Sequence, residues 1–182
     1  MMKIPDWRKW IEDKELCKRW FENYVKRKAL KKDRIGIDLY LKKSVHNMDF
    51  AGWLVSKHRN EIPELFGRDN FYDWVVIAYY YAIYHSAMAL VAERGYSSKS
   101  HAATLCAVIW FYYHQKRRLE KEDIEKVGET IEKEDVETVA RTKNLRERAS
   151  YGVSERFESK LAEMAREKAV SFTGKVGNIL DR

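Results

Sequence analysis

From Trp74 to Ala92 the chain runs through 19 residues without one charged side chain, although 35% of its residues are Asp, Glu, Lys or Arg. A run that long exceeds the usual buried strand and reads as a helix that is apolar on every side, lying either inside a bundle or across a bilayer. Tyr79, Tyr80, Tyr81, Tyr84, His85 and Ser86 decide between the two, because polar tips are costly in hydrocarbon unless paired. The segment is therefore expected to be the central core helix, entered through the capping groups of Asn70 and Asp73 and ended at Arg94-Gly95.

The rest of the chain agrees with a helical reading. Eight Gly and two Pro in 182 residues are too few to punctuate a sheet protein, which needs a turn every ten residues or so. With 45% apolar residues the chain has enough to bury to offset ordering entropy, so one compact domain is expected. Trp7, Trp10, Ile11, Cys17, Trp20, Phe21, Tyr24 and Val25 recur at helical spacing after a Pro5-Asp6 entry. A second amphipathic helix carries Ile37, Leu41, Val45, Met48 and Val55 and ends before Ile62-Pro63. Ser97 or Ser98 caps a helix holding Leu105, Cys106, Val108, Ile109, Tyr112 and Tyr113. The short connection predicts that this helix lies antiparallel to the central one. Two acidic helix starts explain the echo between residues 121–127 and 133–139, the second helix running to about Ser150. Ser154 caps a final helix with Phe157, Leu161, Met164 and Ala165 inward, and the glycines of the tail leave its helicity open.

The expected architecture is all-α, an up-and-down antiparallel bundle of four to five core helices. Residues 1–60 form a basic helical extension packed on it, and 61–182 form the bundle proper. Cys17 and Cys106 have no second Cys or His at ligand spacing, so buried free thiols are expected in place of a disulfide framework or zinc site. The N-terminus lacks a secretory pattern, which places the protein in the cytoplasm.

Charge is uneven. Residues 1–60 hold 16 Lys/Arg against 8 Asp/Glu, whereas 61–115 hold 3 against 5 and 116–182 hold 16 against 15. Lys and Arg interleaved with aromatic residues can meet nucleic acid, and they equally form a solvated helix face. No Gly-rich phosphate loop, zinc-protease or nucleophile-elbow motif occurs, so candidate chemistry narrows to histidines and basic clusters. His85 reads as a hydrogen-bonded core residue, His46 and His58 as surface residues on a basic helix. Arg141, Lys143, Arg146 and Arg148, opposed only by Glu147, are the densest basic cluster. Guanidinium groups beside a helix start after Ser154 suit a phosphate, and cations at a helix C-terminus equally offset its dipole.

Tyr80-Tyr-Ala-Ile-Tyr-His-Ser-Ala-Met-Ala-Leu90, then Gly95, Lys99-Ser-His101 and Arg146-Glu-Arg-Ala-Ser-Tyr151 together resemble the HEPN (higher eukaryotes and prokaryotes nucleotide-binding) superfamily, in its Tyr-Tyr-Ala branch. The resemblance runs from about Asp69 to Ala169. It implies a helical bundle, commonly a homodimer, that binds RNA or a nucleotide beside a minimal nucleotidyltransferase in toxin-antitoxin pairs, without metal or cofactor. Active members are endoribonucleases using an Arg followed four to six residues on by a His. Arg146 matches that Arg, with Arg141, Lys143, Arg148, Lys99 and His101 as further phosphate contacts. Tyr151 stands where the His is expected, and a phenol of pKa about 10 is a poor base. Ser150 also replaces an Asp common in this branch. Arg94 and His101 meet the literal spacing outside the motif region, which reads as coincidence. The expectation is thus a binding protein, with an endoribonuclease using Arg146 and Tyr151 or His101, or a non-catalytic adaptor, as alternatives.

Overall fold

The computed structural model describes residues 6–33, 36–130 and 155–181, with side chains in the last helix described from Ser159 onward. It is an all-α helical bundle carrying one two-stranded ladder among these residues. In chain order the elements are α1 (Arg8–Glu12), α2 (Lys14–Lys26), β1 (Leu30–Lys32), α3 (Ile37–Lys57), α4 (Glu61–Phe66), α5 (Tyr72–Glu93), β2 (Tyr96–Ser98) and α6 (His101–Val108). Helix α6 continues as a π-helix over Ile109–Gln115; residues 121–130 form α7, and Glu155–Ile179 form α8.

Helix α5 is the centre, as its missing charge requires. Val75, Ala82, Ala87, Ala89, Leu90 and Val91 are fully buried, and α3 and α8 pack along it. Among the described helices it alone is long and apolar enough to cross a bilayer, and 72% of its most apolar window is buried within the protein. Helix α3 runs antiparallel to α5: Ser44 meets Ala82 and Ser86, while His58 meets Phe71 and Tyr72. Small buried residues on both helices, Ala51 on α3 and Ala78 and Ala82 on α5, accompany a buried Ser44 hydroxyl that donates to the Ala82 carbonyl at 2.8 Å. A buried hydroxyl satisfied this way fixes the register of the pair.

The expected antiparallel pairing of α5 with α6 does not occur. Tyr80 lies beside His101, Met88 beside Thr104 and Glu93 beside Tyr112, so the two helices run in the same direction. The connection explains it. Residues 94–100 turn at Gly95, whose positive φ of 76° suits glycine, then extend back beside α5 as β2. The extended residues 96–100 cover about 17 Å, close to the rise of about 11 helical residues, which returns the start of α6 to the middle of α5. Strand β1 pairs antiparallel with β2 and completes the detour. The cap moves accordingly: Ser100, two residues past the strand, accepts from the Ala103 N–H at 3.1 Å.

Other departures have similar local causes. The single N-terminal helix is two, because the Asp13 side chain accepts from the Leu16 N–H and starts α2 afresh. Helix α8 is helical through both of its glycines to Ile179, and it presents Ala162, Ala169, Phe172 and Val176 inward. Leu161 and Met164, expected inside, are exposed; the small alanines allow closer approach to the Ala-rich α5 than larger side chains would. Helix α7 lies antiparallel to α8, joined by Lys168–Glu129, Lys126–Ser171 and Lys175–Asp123 contacts. His58 is not a surface residue: its Nε2 accepts from the Phe71 N–H at 2.9 Å, so the proton sits on Nδ1, which donates to the Leu54 carbonyl at 2.8 Å. It clamps the end of α3 to the start of α5.

Candidate nucleic-acid interface

Arg141, Lys143, Arg146, Arg148 and Tyr151 lie outside the described residues. Lys99 and His101 lie within them, at the point where β2 hands over to α6. The Lys99 N–H donates to the Ala29 carbonyl at 2.9 Å, which anchors its backbone while the side chain stays exposed. His101 occupies the first turn of α6 and projects onto α5.

There it meets a cluster of rings. Tyr80, Tyr81, Tyr84 and His85 follow one another at helical spacing on α5. The His101 ring stands edge-on to Tyr84 with centroids 4.3 Å apart, and the Tyr80 hydroxyl lies 3.3 Å from its ring nitrogens. Tyr84 touches His85 at 6.0 Å, and His85 is stacked on Tyr81 at 6.0 Å. Tyr81 reaches solvent, Tyr84 and His85 are half-buried, and Tyr80 is buried. The outer rim of this row is therefore a set of adjoining ring faces and edges that water touches on one side.

The charges around it are basic. Asn47 on α3 donates to His85 Nδ1 at 3.4 Å, and Lys43 lies one turn earlier on the same flank. Burial, followed by the Lys43 charge, holds the His85 imidazole below its ordinary pKa, against an opposing backbone hydrogen bond at Tyr81. At about 100° per residue, Lys43, Asn47, Phe50 and Lys57 share the flank of α3 that faces His85. The carboxylates of α3, Asp38 and Asp49, fall on its other flank, where they line a shallow pocket with Leu41 and Val45. Lys57 is neutralised by Glu61.

Arg94 and His101 stay apart. Arg94 ends α5, its guanidinium 5.1 Å over the Phe111 ring and 3.7 Å from Glu93, whereas His101 on α6 packs beside Tyr84 and Tyr80, about three to four turns back along α5. Their sequence spacing builds no joint site. Among the described residues no group of three or more His, Cys, Asp or Glu is placed to hold a metal ion.

The sequence reading missed the aromatic character of the neighbouring surface. Phe50 and Trp53 stack on each other at 6.1 Å on the exposed side of α3, with the Lys57 ammonium 5.8 Å over the Trp53 ring. Trp74, Leu65 and Phe66 are also exposed, at the same end of the bundle. The available signal was the spacing of Phe50, Trp53 and Lys57 opposite the buried stripe of Ser44, Ala51 and Leu54. Comparison with protein-family models, with curated proteins and with solved structures returned no match.

Proposed function

We propose that this chain is an RNA- or nucleotide-binding protein of the HEPN type, acting as a homodimer beside a minimal nucleotidyltransferase in a toxin-antitoxin pair. The observation that carries the reading is the ring row His101–Tyr84–His85–Tyr81 with Lys99 and Lys43 at its edges and the α3 carboxylates on the far flank. Aromatic faces stack on unpaired bases whatever their sequence, and ammonium groups beside them neutralise phosphates. In this reading a base stacks on Tyr81, Lys99 and Lys43 neutralise flanking phosphates, and Arg141, Lys143, Arg146 and Arg148 supply further phosphate contacts. The resemblance of residues 80–90 and 146–151 to the family supports the same ligand class.

The test is fluorescence anisotropy with a labelled single-stranded RNA across a salt series. Tyr81→Ala is expected to weaken binding about tenfold, since stacking is worth about 1–3 kcal/mol per base. Lys99→Ala and Arg146→Ala are each expected to lower affinity and flatten the salt slope by about one. Unchanged affinity in all three variants rejects the interface.

The Tyr80 hydroxyl beside His101 favours a second reading, in which the imidazole takes a proton from a ribose 2′-OH while Arg146 steadies the phosphate. Cleavage of RNA in chelator that disappears in both His101→Ala and Arg146→Ala identifies the enzyme; binding without cleavage leaves the first reading standing.

A further inference from the structure

We propose that Cys17 and Cys106 form a latent disulfide that, on oxidation, staples the N-terminal helices to the core of the bundle. Cys17 lies on the buried face of α2 and Cys106 on α6, both fully buried and both free thiols. Each sulfur is directed at the other residue: Cys17 Sγ is 3.7 Å from the Cys106 carbonyl oxygen, and Cys106 Sγ is 3.6 Å from that of Cys17. This reciprocal pattern requires the two helix backbones to touch at these positions, with both Cβ–Sγ bonds aimed across one junction. The two thiols therefore share one junction, where each acts on the other, and forming a bond between them requires both side chains to turn from the facing carbonyl toward the facing sulfur.

The surroundings suit a structural bridge rather than a catalytic thiol. Burial, then the facing Cys17 thiol, push the Cys106 thiol well above its ordinary range. The reactive thiolate is thus suppressed while α2 is docked. Oxidation proceeds when α2 lifts from α6, or as the chain folds, and reduction of the finished bond needs the same opening. The oxidant is a low-molecular-weight disulfide. One cysteine thiolate attacks it, breaking its S–S bond and releasing one small thiol; the second cysteine thiolate attacks the mixed disulfide at the protein sulfur and releases the other. The two cysteines give up two protons and two electrons, and the small disulfide becomes two small thiols.

Bridging residues 17 and 106 closes a long loop across the bundle, the case in which restricting the unfolded chain has its largest effect. The expected rise in Tm is about 10 °C. The full-length protein, purified reduced, is warmed to just below its Tm with oxidised glutathione, then unfolded in the presence of a maleimide. The expected product takes up no maleimide, has lost the mass of two hydrogens, yields a linked Cys17–Cys106 peptide and melts about 10 °C higher until a thiol reductant is added. Cys17→Ala and Cys106→Ala each abolish the shift. Uptake of two maleimides, a glutathione adduct on either cysteine without linkage, or a linked protein with an unchanged or lower Tm overturns the proposal.

Discussion

His85 shows how one side chain serves both packing and the candidate interface. Half-buried between α3 and α5, it receives an N–H from Asn47 and stacks on Tyr81, and burial together with Lys43 lowers its pKa. The sign of the effect on stability follows. The unfolded chain binds a proton at this position near the ordinary histidine value of about 6.5, while the folded chain resists it. The contribution of His85 is therefore complete above that value and is lost as pH falls through it. Thermal melts from pH 7.5 down to 5 are expected to show Tm falling with acid, and His85→Gln, which cannot titrate, is expected to have a shallower slope over that window. Equal slopes in the two proteins contradict the assignment. Glu93 also loses its contribution in acid, at lower pH: burial alone raises its pKa, but hydrogen bonds from Tyr112 and Lys116 and the charges of Lys116 and Arg94 outweigh burial and hold it down.

At the level of elements, the glycines separate two kinds of helix position. Gly128 on α7 lies against the Trp7 indole, and a β-carbon added there sits 2.5 Å from the ring. Trp7 is itself buried ahead of α1, so the ring has no room to retreat without undocking that helix. Gly52, mid-way along α3, meets nothing within 4 Å. Alanine favours a helix over glycine by about 1 kcal/mol, whereas overpacking costs about 1–3 kcal/mol. Gly52→Ala is expected to raise Tm by about 2–4 °C and Gly128→Ala to lower it, a pair of opposite signs that calorimetry reads directly. The same contrast explains which elements the sequence disclosed. The absence of charge announced α5, but a helix apolar on all sides gives no clue to which face meets which neighbour. The inward stripe of α8 was hidden because alanine carries little hydrophobic signal, although it permits the closest packing. β1 and β2 are three residues each, Leu-Lys-Lys and Tyr-Ser-Ser, with no alternation to notice, and without them the α5–α6 direction reads the wrong way. Of the interface, Lys99 and His101 were legible as residues near a helix start. The row they join was not, because Tyr84 and His101 become neighbours only through the backward course of β2.

On the scale of the whole molecule, polar and apolar functions divide the surface made by α3, α4 and α5. One end carries Lys43, Asn47, His85, His101 and Lys99; the other carries Phe50, Trp53, Leu65, Phe66 and Trp74, with Tyr81 between them. At exposures of 42–74%, the five side chains of the apolar end leave on the order of 500 Å² of apolar surface in water. That reaches the upper end of what a monomer tolerates and approaches the roughly 800 Å² per partner of a stable interface. At the apolar end Glu61 pairs with Lys57, so the homodimer proposed above would bring no surplus charge from this pair into the contact. In the proposed homodimer, a two-fold contact through this end would leave one ring row on each protomer free to meet RNA. Sedimentation of the wild-type chain is expected to show a concentration-dependent dimer, and Trp53→Glu with Trp74→Glu a monomer that keeps the helical circular dichroism of the parent. Because the lysines and rings stay intact in that variant, its affinity for a short RNA is expected to persist while affinity for an RNA spanning both protomers falls about tenfold or more. A wild-type protein that sediments as a monomer at every concentration removes the dimer and leaves each ring row to act alone.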